Sequence, residues 1–489
     1  MGPVKRHLDM QFYRKPHLIH FLLAAASLLV GGRSDPRTLP PLHPGHPFLF
    51  LWNAPTELCA ERYAVTLDLS HFQEVSSTLK DATNQSVSIF YTDRFGLFPF
   101  VDEDTGEVLE EGLPQLVDLD DHRAEAKEDI LFYMPDPRPG LAVLDFEEWR
   151  PQWVRNWGAK DIYRELSMET VRLRNPALSE EQVEDRARVL FERGAKRYFL
   201  RSLLTGKGLR GGRLWGYYLY PDCYNYDYNR DMEGYGGACP ELEQRRNDAL
   251  LWLWRESTAL YPSVYLELAL RGKPQARRFV RHRIQEAVRV SLLADPAFST
   301  PVYAYIRPVF KDSVDAYMSE DDLVNTIGEA AALGAAGVVS WGDMQVTQDE
   351  DSCVDAMLHL NDVMNPYILN VSTAARHCSR ALCGGAGRCV RRHWDSDTYL
   401  HLDPRRFSIR RPRPGAPLAV TGGPSQQDVL WYDEGFRCLC YSAEPCYRPI
   451  SINEVMEEVT AVGRCEALPS ARHRLTLLAA AAVLHALMS

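Results

Sequence analysis

Short unbroken apolar runs alternate with longer segments of helical period through the middle of the chain. Residues 87–91, 141–145, 214–218, 263–266, 302–306 and 336–341 read as strands. Runs of this kind suit strands buried on both faces, as in a parallel sheet. Between them lie helical patterns. Residues 180–204 follow a capping box at Ser179-x-x-Gln182, and 241–260 and 277–293 are amphipathic. Residues 321–333 follow Ser319, which with Asp322 forms another start signal. The alternation predicts an α/β fold, a parallel sheet wrapped by helices and most simply a (β/α) barrel. A doubly wound open sheet is the alternative, but no Gly-rich nucleotide loop follows a strand candidate. After about residue 370 the pattern changes. Cysteines gather at 378, 383, 389, 438, 440 and 446, in a stretch too poor in apolar residues to hold by a core alone. Residues 405–425 are rich in Arg, Pro and Gly and read as a loop or insertion within it.

Both ends carry targeting patterns. Lys5, Arg6, Arg14 and Lys15 precede an apolar stretch over 18–30, which reads as a secretory signal peptide over 1–33, with an uncleaved anchor as the alternative. Residues 475–488 are nearly all apolar, with small residues further back, which resembles a GPI-attachment signal within a 451–489 tail. A short tail anchor or an amphipathic tail is the other reading. Eleven cysteines then indicate disulfides in an oxidising compartment. Asn84-Gln-Ser86 and Asn370-Val-Ser372 are glycosylation sequons. The chain length, 489 residues, suits one large domain over 34–370 and a smaller module over 371–450. A net charge of −11 argues against a general nucleic-acid binder.

The candidate chemistry sits in Leu141-Ala-Val-Leu-Asp145-Phe-Glu147-Glu-Trp-Arg150. Residues two apart on a strand point the same way, about 6.5–7 Å apart. Asp145 and Glu147 therefore project side by side from a strand end, and Phe146 points elsewhere. Paired carboxylates there suit acid/base hydrolysis of a glycosidic bond. On spacing alone, a solvated loop start is equally open. Tyr218, Tyr265 and Trp341 also fall at strand ends, and aromatic rings stack on sugar rings. No HExxH motif or Cys/His cluster with ligand spacing lies in the barrel region, so no metal or cofactor is expected.

Several long stretches together resemble the animal hyaluronidases, glycoside hydrolase family 56. They are the run from Leu141 to Pro151, Arg155-Asn-Trp157, Leu214-Trp-Gly-Tyr-Tyr-Leu-Tyr-Pro-Asp-Cys-Tyr-Asn225, Ala259-Leu-Tyr-Pro-Ser-Val-Tyr265, Gly334-Ala-Ala-Gly-Val-Val-Ser-Trp341 and Gly387-Arg-Cys-Val-Arg-Arg392. The resemblance implies a distorted (β/α) barrel followed by an EGF-like module. It implies Glu147 as general acid and then base, with a raised pKa, and Asp145 as the group that orients and stabilises the substrate's N-acetyl group. Tyr218 and Tyr265 would hold that group and Trp341 would wall the sugar site. Arg283 would bind a glucuronate carboxylate or a neighbouring acid, and Tyr91 and Asp222 would line the groove. The other basic residues around Arg283, at Arg271, Lys273, Arg277, Arg278, Arg281 and Arg289, read mostly as a solvated helix face.

The resemblance further implies disulfides joining Cys59 with Cys353, Cys223 with Cys239, Cys378 with Cys389, Cys383 with Cys438 and Cys440 with Cys446, leaving Cys465 over. It implies hyaluronan as substrate, with chondroitin as a second one, and a monomer held at the cell surface by a GPI anchor, the secreted or lysosomal state being the alternative. The tail points toward the membrane-attached, sperm-surface type of member. A hyaluronan-binding adhesion protein with little turnover is the competing function. Two departures stand out. Phe146 occupies a position where the family has tryptophan, which predicts altered packing and retained chemistry. The 440–446 loop is short and lacks the usual Gly-Trp pair.

Overall fold

The computed structural model describes residues 36–448 except 103, 104 and 414. The expected signal peptide, the GPI-type tail and Cys465 lie outside the described residues.

Seven parallel strands form two sheets. One runs in the order Tyr303–Ile306, Gly337–Trp341, Leu49–Asn53, Glu74–Ser76; the other runs Val87–Phe90, Gly140–Leu144, Arg213–Tyr217. Both open edges face segments that link the sheets. At one, the Val87 N–H donates to Ser76 Oγ at 3.0 Å. At the other, residues 260–263 make isolated parallel bridges, Tyr218 to Tyr261, Leu260 to Val302 and Ser263 to Tyr305. The expected strand at 263–266 is therefore not a strand. Pro262 has no N–H to offer a ladder, so this segment meets its neighbours point by point.

The strands are buried on both faces, as their unbroken apolar runs require. Leu49, Leu51, Val87, Ile89, Leu141, Val143, Tyr303, Tyr305 and Val339 form one inner cluster. Their alternates, among them Phe50, Trp52, Phe90, Leu144, Trp215 and Ile306, pack outward in a larger cluster with the helices. Period two in the strands thus sorts side chains into two layers. Phe146 belongs to the outer layer, 4.8 Å from the Phe98 ring and 5.6 Å from Tyr217, away from the carboxylates.

The helix Glu180–Leu209 starts at the expected capping box and runs five residues beyond the expected end. The expected helix over 241–260 is broken into Glu241–Asp248 and Leu251–Trp254, where the Trp254 indole donates to the Asn247 carbonyl oxygen at 2.7 Å. The helix Pro274–Ser291 buries Arg281 and Arg283. Arg271, Lys273 and Arg278 are exposed, as a solvated face requires, whereas the other three arginines of that expectation are held by acids. Arg281 pairs with Glu329, Arg277 with Asp397, and Arg289 with Glu286 and Asp248.

Among the described residues four disulfides form. Cys59 with Cys353 ties two helices across 294 residues of sequence, and Cys378 with Cys389, Cys383 with Cys438, and Cys440 with Cys446 hold the C-terminal part. The helix Asn365–Cys383 carries the chain into that part without a break. The expected bond between Cys223 and Cys239 is not formed. Both are buried free thiols, and the Cys239 thiol is turned to the Cys223 carbonyl oxygen at 3.4 Å. Burial, then the neighbouring Cys239, holds the Cys223 thiol far above its ordinary pKa.

Candidate active site

Strand register builds the site. Phe90, Leu144 and Tyr217 are partners across three adjacent strands, so the next residues, Tyr91, Asp145 and Tyr218, form one row at the carboxyl ends. The row continues the ladder, since the Asp145 N–H donates to Phe90 O at 2.8 Å and the Tyr218 N–H donates to Leu144 O at 2.9 Å. Each strand end is about 4.8 Å from the next. Trp341 ends a strand of the other sheet, and its indole N–H donates to the Tyr91 hydroxyl at 2.9 Å, spanning the two sheets. Tyr265 stacks on Trp341 with centroids 6.2 Å apart and lies 6.1 Å from the Tyr218 ring. The expected residues Asp145, Glu147, Tyr218, Tyr265, Tyr91 and Trp341 are thus brought together.

Asp145 is the electrostatic centre. Burial, then the charges of Glu147 and Glu148, raises its pKa well above the usual carboxylate range, against the pull of Arg150. Its Oδ1 is buried with no hydrogen-bond partner among the described residues. Burial and the charges of Glu147 and Asp145 likewise raise the Tyr218 hydroxyl, and burial and Tyr218 raise Tyr265. Both phenols stay protonated as donors at any working pH. The Tyr218 hydroxyl reaches Ser263 Oγ at 3.3 Å. Glu147 is more open, with its side chain 47% exposed, and is tethered by Arg150. That guanidinium donates to Glu147 Oε2 at 3.1 Å and to its carbonyl oxygen at 2.8 Å. Arg150 is in turn fixed by Asn156, which is fully buried and exchanges two hydrogen bonds with its backbone. Glu148 turns back to accept the Glu147 N–H at 3.0 Å.

Of the two partners expected for Arg283, the structure shows the neighbouring acid, and Asp222 is that acid. Arg283 is 3% exposed and pairs with Asp222 at 3.3 Å, while also donating to Asn225 Oδ1 and Ser263 O. It faces an acid of its own chain instead of the groove. Burial opposes ionisation of Asp222, but Arg283 and then Arg155 hold its pKa below the usual range. The ionised Asp222 accepts the N–H groups of Cys223 and Tyr224, which folds the loop after Tyr218. These two residues support the site from behind. Asn84 and Asn370 lie elsewhere; the Asn84 amide donates to Asp136, and Asn370 Oδ1 accepts the Leu402 N–H.

Three contributors were not singled out from sequence. Arg150 lies inside the diagnostic run, and its spacing of three from Glu147 was the available signal. Ser263 showed none. Tyr305 sits in the inner layer below the row, its ring 5.1 Å from Tyr218 and its hydroxyl buried without a partner among the described residues. The alternation Tyr303, Tyr305 in an apolar run could have marked it as inward-facing.

The family model described as hyaluronidase, glycoside hydrolase family 56, matches residues 37–448. The chain belongs to the hyaluronidase family. It is 46% identical to mouse Hyaluronidase-5 over 438 residues, covering 90% of this chain and 82% of that protein. It is 43% identical to human Hyaluronidase PH-20 over 434 residues, covering 89% and 84%. Among solved structures, bee venom hyaluronidase in complex with a hyaluronic acid tetramer superposes with a TM-score of 0.56 at 28% identity, covering 66% of this chain and 98% of that one. Asp145 and Tyr218 of the row lie in two of the stretches that carry the sequence resemblance.

Proposed function

We propose that the protein hydrolyses hyaluronan, with chondroitin as a second substrate, at the β-linkage that follows N-acetylhexosamine. The Asp145 carboxyl carries this reading: its Oδ1 is buried without a hydrogen-bond partner among the described residues, and the Glu147 charge stands beside it. A structural acid would be fully partnered. Glu147 donates its proton to the leaving glycosidic oxygen as that bond breaks. The substrate's own N-acetyl oxygen forms the new bond to the anomeric carbon, giving a cyclic cation. Asp145 accepts the acetamido N–H and stabilises the positive charge as it develops, and Tyr218 and Tyr265 fix the acetamido group by donation. Water then adds to the anomeric carbon as that carbon's bond to the acetamido oxygen breaks, giving its proton to Glu147, so configuration is retained. Trp341 and Tyr91 wall the sugar. The seven strands and the 260–263 segment read together as one distorted barrel, with an EGF-like module after it. The matured chain acts as a monomer, held at the cell surface by a GPI anchor. Among the described residues no helix is long and apolar enough to cross a membrane.

The test is hyaluronan depolymerisation from pH 3.5 to 7.5 beside a Glu147→Gln variant. The variant should be about 100- to 10,000-fold slower. Binding without cleavage by the wild type at every pH would replace the hydrolase with an adhesion protein.

A further inference from the structure

The C-terminal part carries a second concave surface that the chemistry above does not use. It lies between residues 397–406 and the helix Gln426–Gly435 and encloses ≈ 350 Å³. One wall is a row of alternating charge. Arg405 grips Asp403 through Nε at 3.0 Å and Nη2 at 2.9 Å. Asp403 also receives Arg406 at 3.0 Å, and Arg406 reaches on to Asp428 at 2.6 Å. Asp428 is pinned in turn by the N–H and hydroxyl of Ser425, at 2.7 and 2.8 Å. The other wall offers Trp431, which is 49% exposed, beside an equally bare Leu430. Tryptophan is normally well covered.

A sugar presents an apolar C–H face and hydroxyls that donate and accept at once. A half-bare indole matches the first. Aspartates and arginines already locked together match the second, because little side-chain freedom remains to be lost on binding. Arg405 adds one more element. Its side chain is 77% exposed, and Nη1 stands outside its grip on Asp403. A guanidinium N–H so placed makes a charge-assisted bond to a carboxylate. We propose that this cleft is a non-catalytic binding site for a uronate-bearing glycan strand, with Trp431 as the stacking platform and Arg405 as the carboxylate contact. None of the catalytic residues lines it. Only the identity of the glycan as hyaluronan depends on the function proposed above.

The test uses the full chain carrying Glu147→Gln, so that polymer is not consumed, titrated with long hyaluronan, chondroitin and a neutral chitin oligosaccharide. Trp431→Ala and, separately, Arg405→Glu should each weaken binding of the two uronate polymers by roughly 5- to 10-fold. Arg405→Glu should leave any chitin binding unchanged. In the otherwise unmodified enzyme, the same substitutions should raise KM for polymer and leave turnover of a hyaluronan hexasaccharide untouched. Unchanged polymer binding in both variants would overturn the proposal. So would a parallel loss on the hexasaccharide, since the residues would then act through the fold, and so would an equal loss of chitin binding with Arg405→Glu. If the unmodified enzyme cleaves no hyaluronan, the hydrolase reading fails, while the titrations still decide the cleft.

Discussion

Asp145 and Glu329 are both acids set among the buried parts of this protein with arginine nearby, and they are treated in opposite ways. Glu329 has no solvent exposure, and both its oxygens are filled: Oε1 by Arg281 at 2.7 Å and the Tyr399 hydroxyl at 2.6 Å, Oε2 by Arg391 at 3.0 Å and Arg281 at 3.1 Å. This cluster joins the helical layer to Arg391 at the end of the Gly387–Arg391 strand and to Tyr399 beyond it, and Arg281 extends it to Asp397. Asp145 has an orphan oxygen and two like charges as neighbours. A satisfied buried carboxylate specifies the fold, whereas an unsatisfied one is kept at a cost because a substrate completes it.

The largest effect on rate separates them most sharply. Asp145→Asn should reduce kcat by about 100- to 1,000-fold, because the developing cation loses its anionic partner. The same substitution should stabilise the protein near neutral pH. The Asp145 pKa is raised on folding, so the group's contribution is fully present below the ordinary carboxylate pKa, about 4, and is lost as pH rises through the folded value. Asparagine carries no such loss. Thermal melts of the two proteins should coincide at pH 3.5 and diverge upward with pH, the variant melting higher. A variant that melts lower at pH 7.5 would mean that Asp145 is a structural acid after all.

Glu329→Gln should do the reverse. It leaves Arg391, fully buried, and Arg281 facing a neutral amide. Breaking a buried pair in this way costs about 3–5 kcal/mol. Chemical denaturation should show that loss, while the folded fraction should turn over substrate at the wild-type kcat. An unchanged midpoint would show that the arginines find other partners.

The two acids also differ in how far they could be read from the sequence. Asp145 stands at the end of a four-residue apolar run with Glu147 two positions on, so period and spacing alone placed it at a strand end. The strand boundary fell within one residue, at Gly140–Leu144. Glu329 lies in a helical stretch that is buried nearly all round, and its partners come from three distant segments, which no local pattern encodes. Arg283 was hidden for the same reason. Its partner was open between a glucuronate and a neighbouring acid, and Asp222 and Asn225, about sixty residues earlier, take it up. The Leu49–Asn53 strand carried its signal in Phe-Leu-Phe-Leu-Trp, obscured by the proline-rich segment before it, and Glu74–Ser76 is three residues long with a single apolar residue, Val75. Elements that bury their own side chains were legible, and those defined by a remote partner were not.

The smallest expected effect tests whether that logic of incompletion extends below the catalytic row. Tyr305 is fully buried, its ring is fixed edge-on against Tyr218 at 5.1 Å, and its hydroxyl has no partner among the described residues. It lies on the strand Tyr303–Ile306, in the inner layer that meets the floor of the site. A buried hydroxyl without a partner costs on the order of 1–3 kcal/mol. Tyr305→Phe keeps the ring and removes that cost, so the variant should melt slightly higher than wild type. If the hydroxyl supports the Asp145 side of the site, kcat should fall by less than about tenfold, with KM unchanged. Burial raises the pKa of this hydroxyl well above its usual range, and the nearby Asp145 carboxylate adds to that, so the loss should be accompanied by a displaced pH profile. A variant that gains stability with kcat and pH profile unchanged would make Tyr305 a flaw in the packing, and would confine the functional incompleteness of this fold to Asp145 itself.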